Sequence, residues 1–163
     1  MKLYIRQRVF SWRDRFTVRD RDGQDRFYVE GAFFSWGKQL RICRMDGSEA
    51  ACIRQKLFTF LPRFQIFEGD TQTAEVVKEF SFFHPRYRIE GPDWEVEGSV
   101  MAHAYAITGS GRAVASVRKE WLTWGDCYEL EIADDRDAIT ALAAVLCIDA
   151  AMENASASVS IST

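Results

Sequence analysis

Proline is scarce, with only three in 163 residues, so little in the chain interrupts the hydrogen-bond ladders of strands. Histidine is scarcer still. His84 and His103 are the only two, and neither belongs to an HxH or HExxH pattern, so no metal centre is announced. The four cysteines, Cys43, Cys52, Cys127 and Cys147, form no CxxC pair. They read as reduced thiols of a cytosolic protein, not as a disulfide framework or a ligand set. A nucleophile elbow of the GxSxG type is missing, and Ser11 and Ser35 belong to a structural repeat. Gly109-Ser110-Gly111-Arg112 is glycine-rich but leads into a strand pattern, not the helix that a phosphate loop requires. Glu129 and Glu131 share one strand face, the arrangement of a solvated pair, with no sign of the cleft a glycosidase needs. The expectation is a non-enzymatic protein without metal or cofactor.

Long apolar runs are lacking too. The longest, Ala138 to Ile148, covers eleven residues, too few to span a bilayer. The N-terminus, MKLYIRQRVF, carries charges where a signal peptide needs an apolar stretch, so the expected location is the cytoplasm, peripheral at a membrane at most. Basic excess is absent: the net charge is -3 and the pI near 5.5, which argues against a nucleic-acid partner. Nothing in the sequence fixes an oligomeric state.

Aromatics and hydrophobics are abundant. The chain has 12 Phe, 5 Trp and 5 Tyr, and 47% hydrophobic residues, enough for one self-sufficient core. A short pattern recurs: an apolar residue, Ser or Thr, an aromatic, a few turn residues, then apolar-x-apolar. Its copies are Phe10-Ser11-Trp12 to Phe16, Phe34-Ser35-Trp36 to Leu40, Phe58-Thr59-Phe60 to Phe64, a looser Ser81-Phe82-Phe83 to Tyr87, and Leu122-Thr123-Trp124 to Tyr128. Met101-Ala102-His103-Ala104-Tyr105 stands where a decayed sixth copy belongs.

Between copies lie Asp22-Gly23, Asp46-Gly47, Gly69-Asp70, Gly91-Pro92 and Gly109-Ser110-Gly111, which supply the positive φ of tight hairpins. Each repeat is therefore two strands and two turns, and the whole about twelve strands. Period-two alternation, as in Leu3 and Ile5 against Tyr4 and Arg6, gives each strand one buried and one wet face.

An open meander of that size would leave two long edges, so a closed antiparallel barrel is expected. Twelve strands enclose too wide a lumen for their own side chains to fill. AITALAAVLCIDAAM, residues 138–152, is apolar on nearly every face, as a helix surrounded by protein should be. Asp134, Asp135 and Asp137 suit its cap and dipole. The expected domain is residues 1–155, a mainly β barrel around a central helix from about Asp135 to Met152, with a disordered polar tail over 156–163.

The segments RQRVFSWRDRFTVRDRDG, IRQKLFTFLPRFQIFEGD, VKEFSFFHPRYRIEG and VRKEWLTWGDCYELEIADD, with the apolar helix, resemble the LURP-one-related family across nearly the whole chain. The resemblance implies a tubby-like fold, twelve strands around a central hydrophobic helix, distantly similar to phospholipid scramblases and to tubby C-terminal domains. Tubby domains bind phosphoinositides through a basic surface. The chain departs from the scramblase pattern, lacking the Pro-rich N-terminal region, the cysteine cluster and an acidic calcium loop, so lipid transport is not implied.

In a meander all turns of one class gather at one end. One rim collects Trp12, Trp36, Phe60, Phe83 and Trp124 beside Arg13, Arg15, Lys38, Arg63 and Arg86; the other collects Asp20, Asp22, Asp46, Glu68, Asp70, Glu90 and Asp93. The five basic residues are candidates for binding an anionic lipid headgroup or an acidic protein partner. Repetition of the motif favours a competing role for the aromatics, as inward corner plugs. Gln7, Gln55, Lys78 and Lys119 occupy equivalent, inward-phased repeat positions near the aromatic rim. They are expected to clasp Asp149, the only charge inside the helix, or the last helical carbonyls. The leading expectation is a binding or scaffold domain. The alternative is a small-molecule-binding barrel or an enzyme with an unrecognised site, which an open, part-apolar pocket at the barrel mouth would favour.

Overall fold

A computed structural model describes residues 1–6, 15–34, 37–123 and 125–160, with the side chains of 32–34, 126 and 156–160 left aside. Twelve strands follow one another: β1 Lys2–Arg6, β2 Arg15–Arg19, β3 Asp25–Phe34, β4 Gly37–Arg44, β5 Glu49–Gln55, β6 Arg63–Glu68, β7 Thr71–Glu79, β8 Arg86–Glu90, β9 Trp94–Ser99, β10 Ala104–Gly109, β11 Arg112–Leu122 and β12 Gly125–Ile132. Each pairs antiparallel with its sequence neighbours, and β1 closes on β12 from Lys2 opposite Glu131 to Arg6 opposite Cys127. No sheet edge is left open, as the argument from edge exposure requires. The expected turns fall between strands; Gly23 and Gly47 adopt φ of 77° and 90°, positions where a Cβ would be strained.

The helix α1, Ala138–Ser160, follows a short 3-10 turn at Asp135–Asp137, where the Asp134 side chain accepts from the Arg136 N–H. Leu142, Val145, Leu146 and Ile148 are fully buried against inward strand residues such as Leu3, Leu40, Ile53, Ile66 and Ile107. The segment Asp135–Ala155 is long and apolar enough to cross a membrane by length and composition, and here the barrel encloses it.

Polar contacts fix the helix direction. Thr140 donates to Glu68 at 2.8 Å, Arg112 pairs with Asp137 at 2.8 Å, and the N-terminal ammonium of Met1 lies 3.5 Å from Asp135. These tie the helix start to the end bearing the Gly/Asp turns. At the other end Lys38 donates to Asn154 at 2.8 Å.

The helix does not stop at Met152. It continues to Ser160, so residues 156–160 are helical backbone and not part of an unstructured tail. Ala155, Ala157 and the straight-chain Met152 and Glu153 carry no helix breaker, which explains why composition alone set the boundary too early.

Candidate functional site

The last residue of each repeat copy falls at the start of an even-numbered strand, just inside the aromatic rim. Phe16, Leu40, Phe64, Tyr87, Tyr105 and Tyr128 are all buried in the core around α1. Copies one to three thus contribute apolar groups and copies four to six contribute phenols. Onto the phenolic half the helix directs Asp149, itself buried.

Asp149 accepts a hydrogen bond from the Tyr128 hydroxyl, and His103 Nε2 lies 3.5 Å from its other oxygen. The His103 ring stacks on Tyr128 with centroids 4.6 Å apart. Burial, reinforced by the Asp149 charge, pushes Tyr87 up to about 12 and holds Tyr105 and Tyr128 well above the usual phenol range. Tyr87 Oη, Tyr105 Oη, His103 Nδ1 and Asp149 Oδ1 are buried without a hydrogen-bond partner.

For Asp149 and the three described donors the expected clasp is corrected. Asp149 bonds to Tyr128 and approaches His103, not Lys78, Lys119 or Gln55; Gln7 lies outside the described residues. Register gives the reason. Lys78 stands opposite Tyr87, Lys119 opposite Tyr128 and Gln55 opposite Phe64, so each occupies an inward-facing position at the level of the ring. At the barrel mouth that face opens to water: Lys119 is exposed, and Lys78 and Gln55 are half-buried. Long side chains there carry their polar ends into solvent, while the shorter phenols stay inside. The tyrosines were visible as the closing residues of the last three repeat copies, and His103 as a polar intrusion in the decayed one.

The rim itself is apolar and exposed. Phe58, Phe60, Phe82 and Phe83 are at least 85% exposed, joined by Phe80, Met101 and Trp121. They come from the β5–β6, β7–β8 and β9–β10 connections and the end of β11, all at one end of the barrel. Phe80 and Phe82 pack edge to face with centroids 5.0 Å apart, against each other and not into the core. The corner-plug reading is thus overturned for Phe60 and Phe83. Trp12, Arg13, Trp36 and Trp124 lie outside the described residues.

The basic candidates divide. Arg15 is 3.5 Å from Glu30 and stacks on Tyr28 with its guanidinium carbon 3.7 Å from the ring centre. Arg63 pairs with Glu75 at 3.2 Å. Both sit in ion pairs on the outer wall, whereas Arg86, like Lys78 and Lys119, forms no ion pair among the described residues. At the opposite rim Asp20 and Asp46 accept turn N–H bonds, and those to Ser48 hold Asp46 below the usual carboxylate range.

Beside the ring opens a pocket of about 430 Å³, lined by Lys78, Pro85, Tyr87, Met101, Met152 and Glu153. On the outer wall, Glu129 is buried, which corrects its reading as half of a solvated pair. Burial favours its neutral form, but hydrogen bonds from Tyr4 and Lys2 and the charge of Arg118 outweigh this and lower its pKa. All four cysteines are buried, and none forms a disulfide among the described residues.

Comparison with known proteins follows the same outline. A family model described as LURP-one-related matches residues 1–149. YxjI of Bacillus subtilis (strain 168), itself uncharacterized, is 36% identical over 154 residues, covering 94% of this chain and 95% of its own. An X-ray structure of a protein from Arabidopsis thaliana superposes with a TM-score of 0.60 at 16% identity, over 89% of this chain and 88% of that one, a likeness of fold.

Proposed function

The chain belongs to the LURP-one-related family, and from that premise we propose that its aromatic end docks on anionic membrane surfaces as a non-enzymatic binding domain. The observation that carries this reading is the group of exposed phenylalanines at one end of a barrel packed by its helix; the part-apolar pocket at that mouth favours the alternative, a small-molecule-binding barrel, but the exposed rings stand outside it. Soluble proteins rarely expose so many large apolar rings at one end, and rings of this kind bury well at the boundary between headgroups and acyl chains. Lys78, Arg86 and Lys119, at the same end, form no ion pair among the described residues, which suits them to meet lipid phosphates. The acidic residues collect at the far end, which orients the molecule with its aromatic end toward the membrane.

Co-sedimentation with vesicles tests the reading. Binding should rise with the fraction of anionic lipid and weaken with salt, as the Debye length falls from about 10 Å at 0.1 M to about 3 Å at 1 M. A residue of binding should survive high salt, because the apolar contribution is not screened. Absence of binding to anionic vesicles at low salt would overturn it.

A further inference from the structure

We infer that the pocket at the aromatic mouth binds a free single-chain carboxylate, a fatty-acid-like anion held by Lys78 and Tyr87 with its chain against the apolar wall. Pairing of the strands makes these two polar groups neighbours. Lys78 in β7 stands directly opposite Tyr87 in β8 on the inward face, where cross-strand Cβ atoms lie about 5 Å apart. Both line the pocket. Lys78 is half-buried and forms no ion pair among the described residues, and Tyr87 is 3% exposed with an Oη that has no hydrogen-bond partner. Tyr105, His103 and Asp149 do not line the pocket, so the site is built from its wall alone.

The donors select the head. Buried hydroxyls in folded proteins are nearly always hydrogen-bonded, so an orphaned tyrosine at a pocket wall calls for a partner inside the pocket. Burial pushes Tyr87 up to about 12, which keeps it a neutral O–H able to donate. Lys78 beside it brings N–H donors and one positive charge. A carboxylate answers both groups with two oxygens and one negative charge, through charge-assisted hydrogen bonds. A neutral alcohol leaves the Lys78 charge unmet, and an amine is repelled by it. Glu153, on the same wall, is exposed and lies in the field of Lys38, so its charge is met from outside the pocket.

The remaining wall selects what the carboxylate is attached to. Pro85, Met101 and Met152 supply it, and methionines are pliable, polarizable partners for apolar chains. The volume of about 430 Å³ is that of a small-molecule site. Phe82 and Phe83 precede Pro85 in the β7–β8 connection and are exposed, so apolar side chains continue from the pocket wall to the rim. A polar metabolite would leave this surface uncovered, whereas an alkyl chain covers it. The site goes beyond membrane docking, since it needs no bilayer and takes a monomer from solution.

Calorimetric titration of the full chain with decanoate, kept below its micelle concentration, tests the site, with decanol, decylammonium and acetate as neutral, cationic and chainless probes. Decanoate should bind roughly tenfold or more tightly than decanol or decylammonium, the scale of hydrogen bonds to a charged group. Acetate should not register. Lys78→Met and Tyr87→Phe, which keep the stem and the ring but remove the donors, should each erase most of the preference for decanoate. Methionine-methyl NMR of the wild-type chain locates the ligand without any variant: decanoate should shift Met101 and Met152 and leave Met45, in the β4–β5 turn at the other end, unmoved. Equal binding of the three long-chain probes, or shifts that spare Met152, would mean adsorption on the exposed rings and would overturn the site, as would no binding of decanoate. Anionic vesicles separate the two sources of such a ligand. Tyr87→Phe should sediment with them as the wild type does, and a fall in its vesicle binding would assign the pocket to a bilayer lipid and overturn the free carboxylate.

Discussion

At the scale of single residues, burial and close approach decide which positions tolerate change. Gly98 in β9 has φ of 115°, and a Cβ there would lie 2.6 Å from the Ala104 carbonyl oxygen and 2.9 Å from Tyr105 Cα. Both contacts are backbone of the paired strand and cannot rotate away. Gly98→Ala should lower the denaturant midpoint by an amount corresponding to about 1–3 kcal/mol from backbone strain alone, with the m-value unchanged.

Glu129 gives a pH signature. Its folded pKa is depressed, so its contribution to stability is present above the ordinary carboxylate value and is lost as pH falls through the depressed one. Its partner Tyr4 is raised to about 12, so that contribution is intact below the ordinary phenol value and is lost as pH rises toward about 12. Glu129→Gln should flatten the acid limb of the stability profile measured by thermal unfolding, and an unchanged limb would remove Glu129 from that role. Neither the burial of Glu129 nor its cluster was legible in the sequence. Its partners Lys2 and Tyr4 come from β1, at the other end of the chain, and only barrel closure brings them together.

Elements were far more legible. Strand number, order and turn positions followed from a repeat of roughly two dozen residues, because a hairpin with one buried face writes its period and its turns directly into residue type. The buried face of α1 followed from its lack of a polar side, and its N-terminus from three aspartates. Its C-terminus was misplaced, since Asn and Ser beyond Met152 are weaker helix formers but not breakers, and the alanines between them favour helix. Packing of this helix is the main test of the core. Leu146→Ala should cost about 2–5 kcal/mol, as for other leucines buried on all sides. Chemical denaturation checks this, and a change near zero would mean that the lumen collapses freely around the helix. The clasp around Asp149 was read with the correct strand face but the wrong depth. Period-two alternation tells inside from outside, but it does not tell how far a lysine at a barrel mouth stands from water.

On the scale of the whole molecule the two ends differ in chemistry, and the proposed docking rests on that difference. Acidic turns close one end around the start of the helix, while the other end exposes Phe58, Phe60, Phe80, Phe82, Phe83 and Trp121 above a buried polar cluster. Sequence repetition identified the aromatic end but not its exposure, because five similar motifs suit a packing role as well as a surface one. Arg15 and Arg63, paired with Glu30 and Glu75, should matter less to docking than Arg86 and Lys119. In vesicle titrations Arg86→Glu with Lys119→Glu should weaken binding more than Arg15→Glu with Arg63→Glu, and the reverse order would place the anion contacts on the outer wall.

The most direct measurement compares the wild-type chain with the triple variant Phe60→Ser, Phe82→Ser, Phe83→Ser on anionic vesicles. The replaced rings touch water and not the core, so each substitution should change folding stability by about 0.5 kcal/mol or less. Burying a phenylalanine is worth up to roughly 1.5–3 kcal/mol, so partial insertion of three should show as a loss of about tenfold or more in vesicle affinity. That loss, with the thermal midpoint unchanged, is the result predicted for docking by the aromatic end; undiminished binding by an equally stable variant would contradict it.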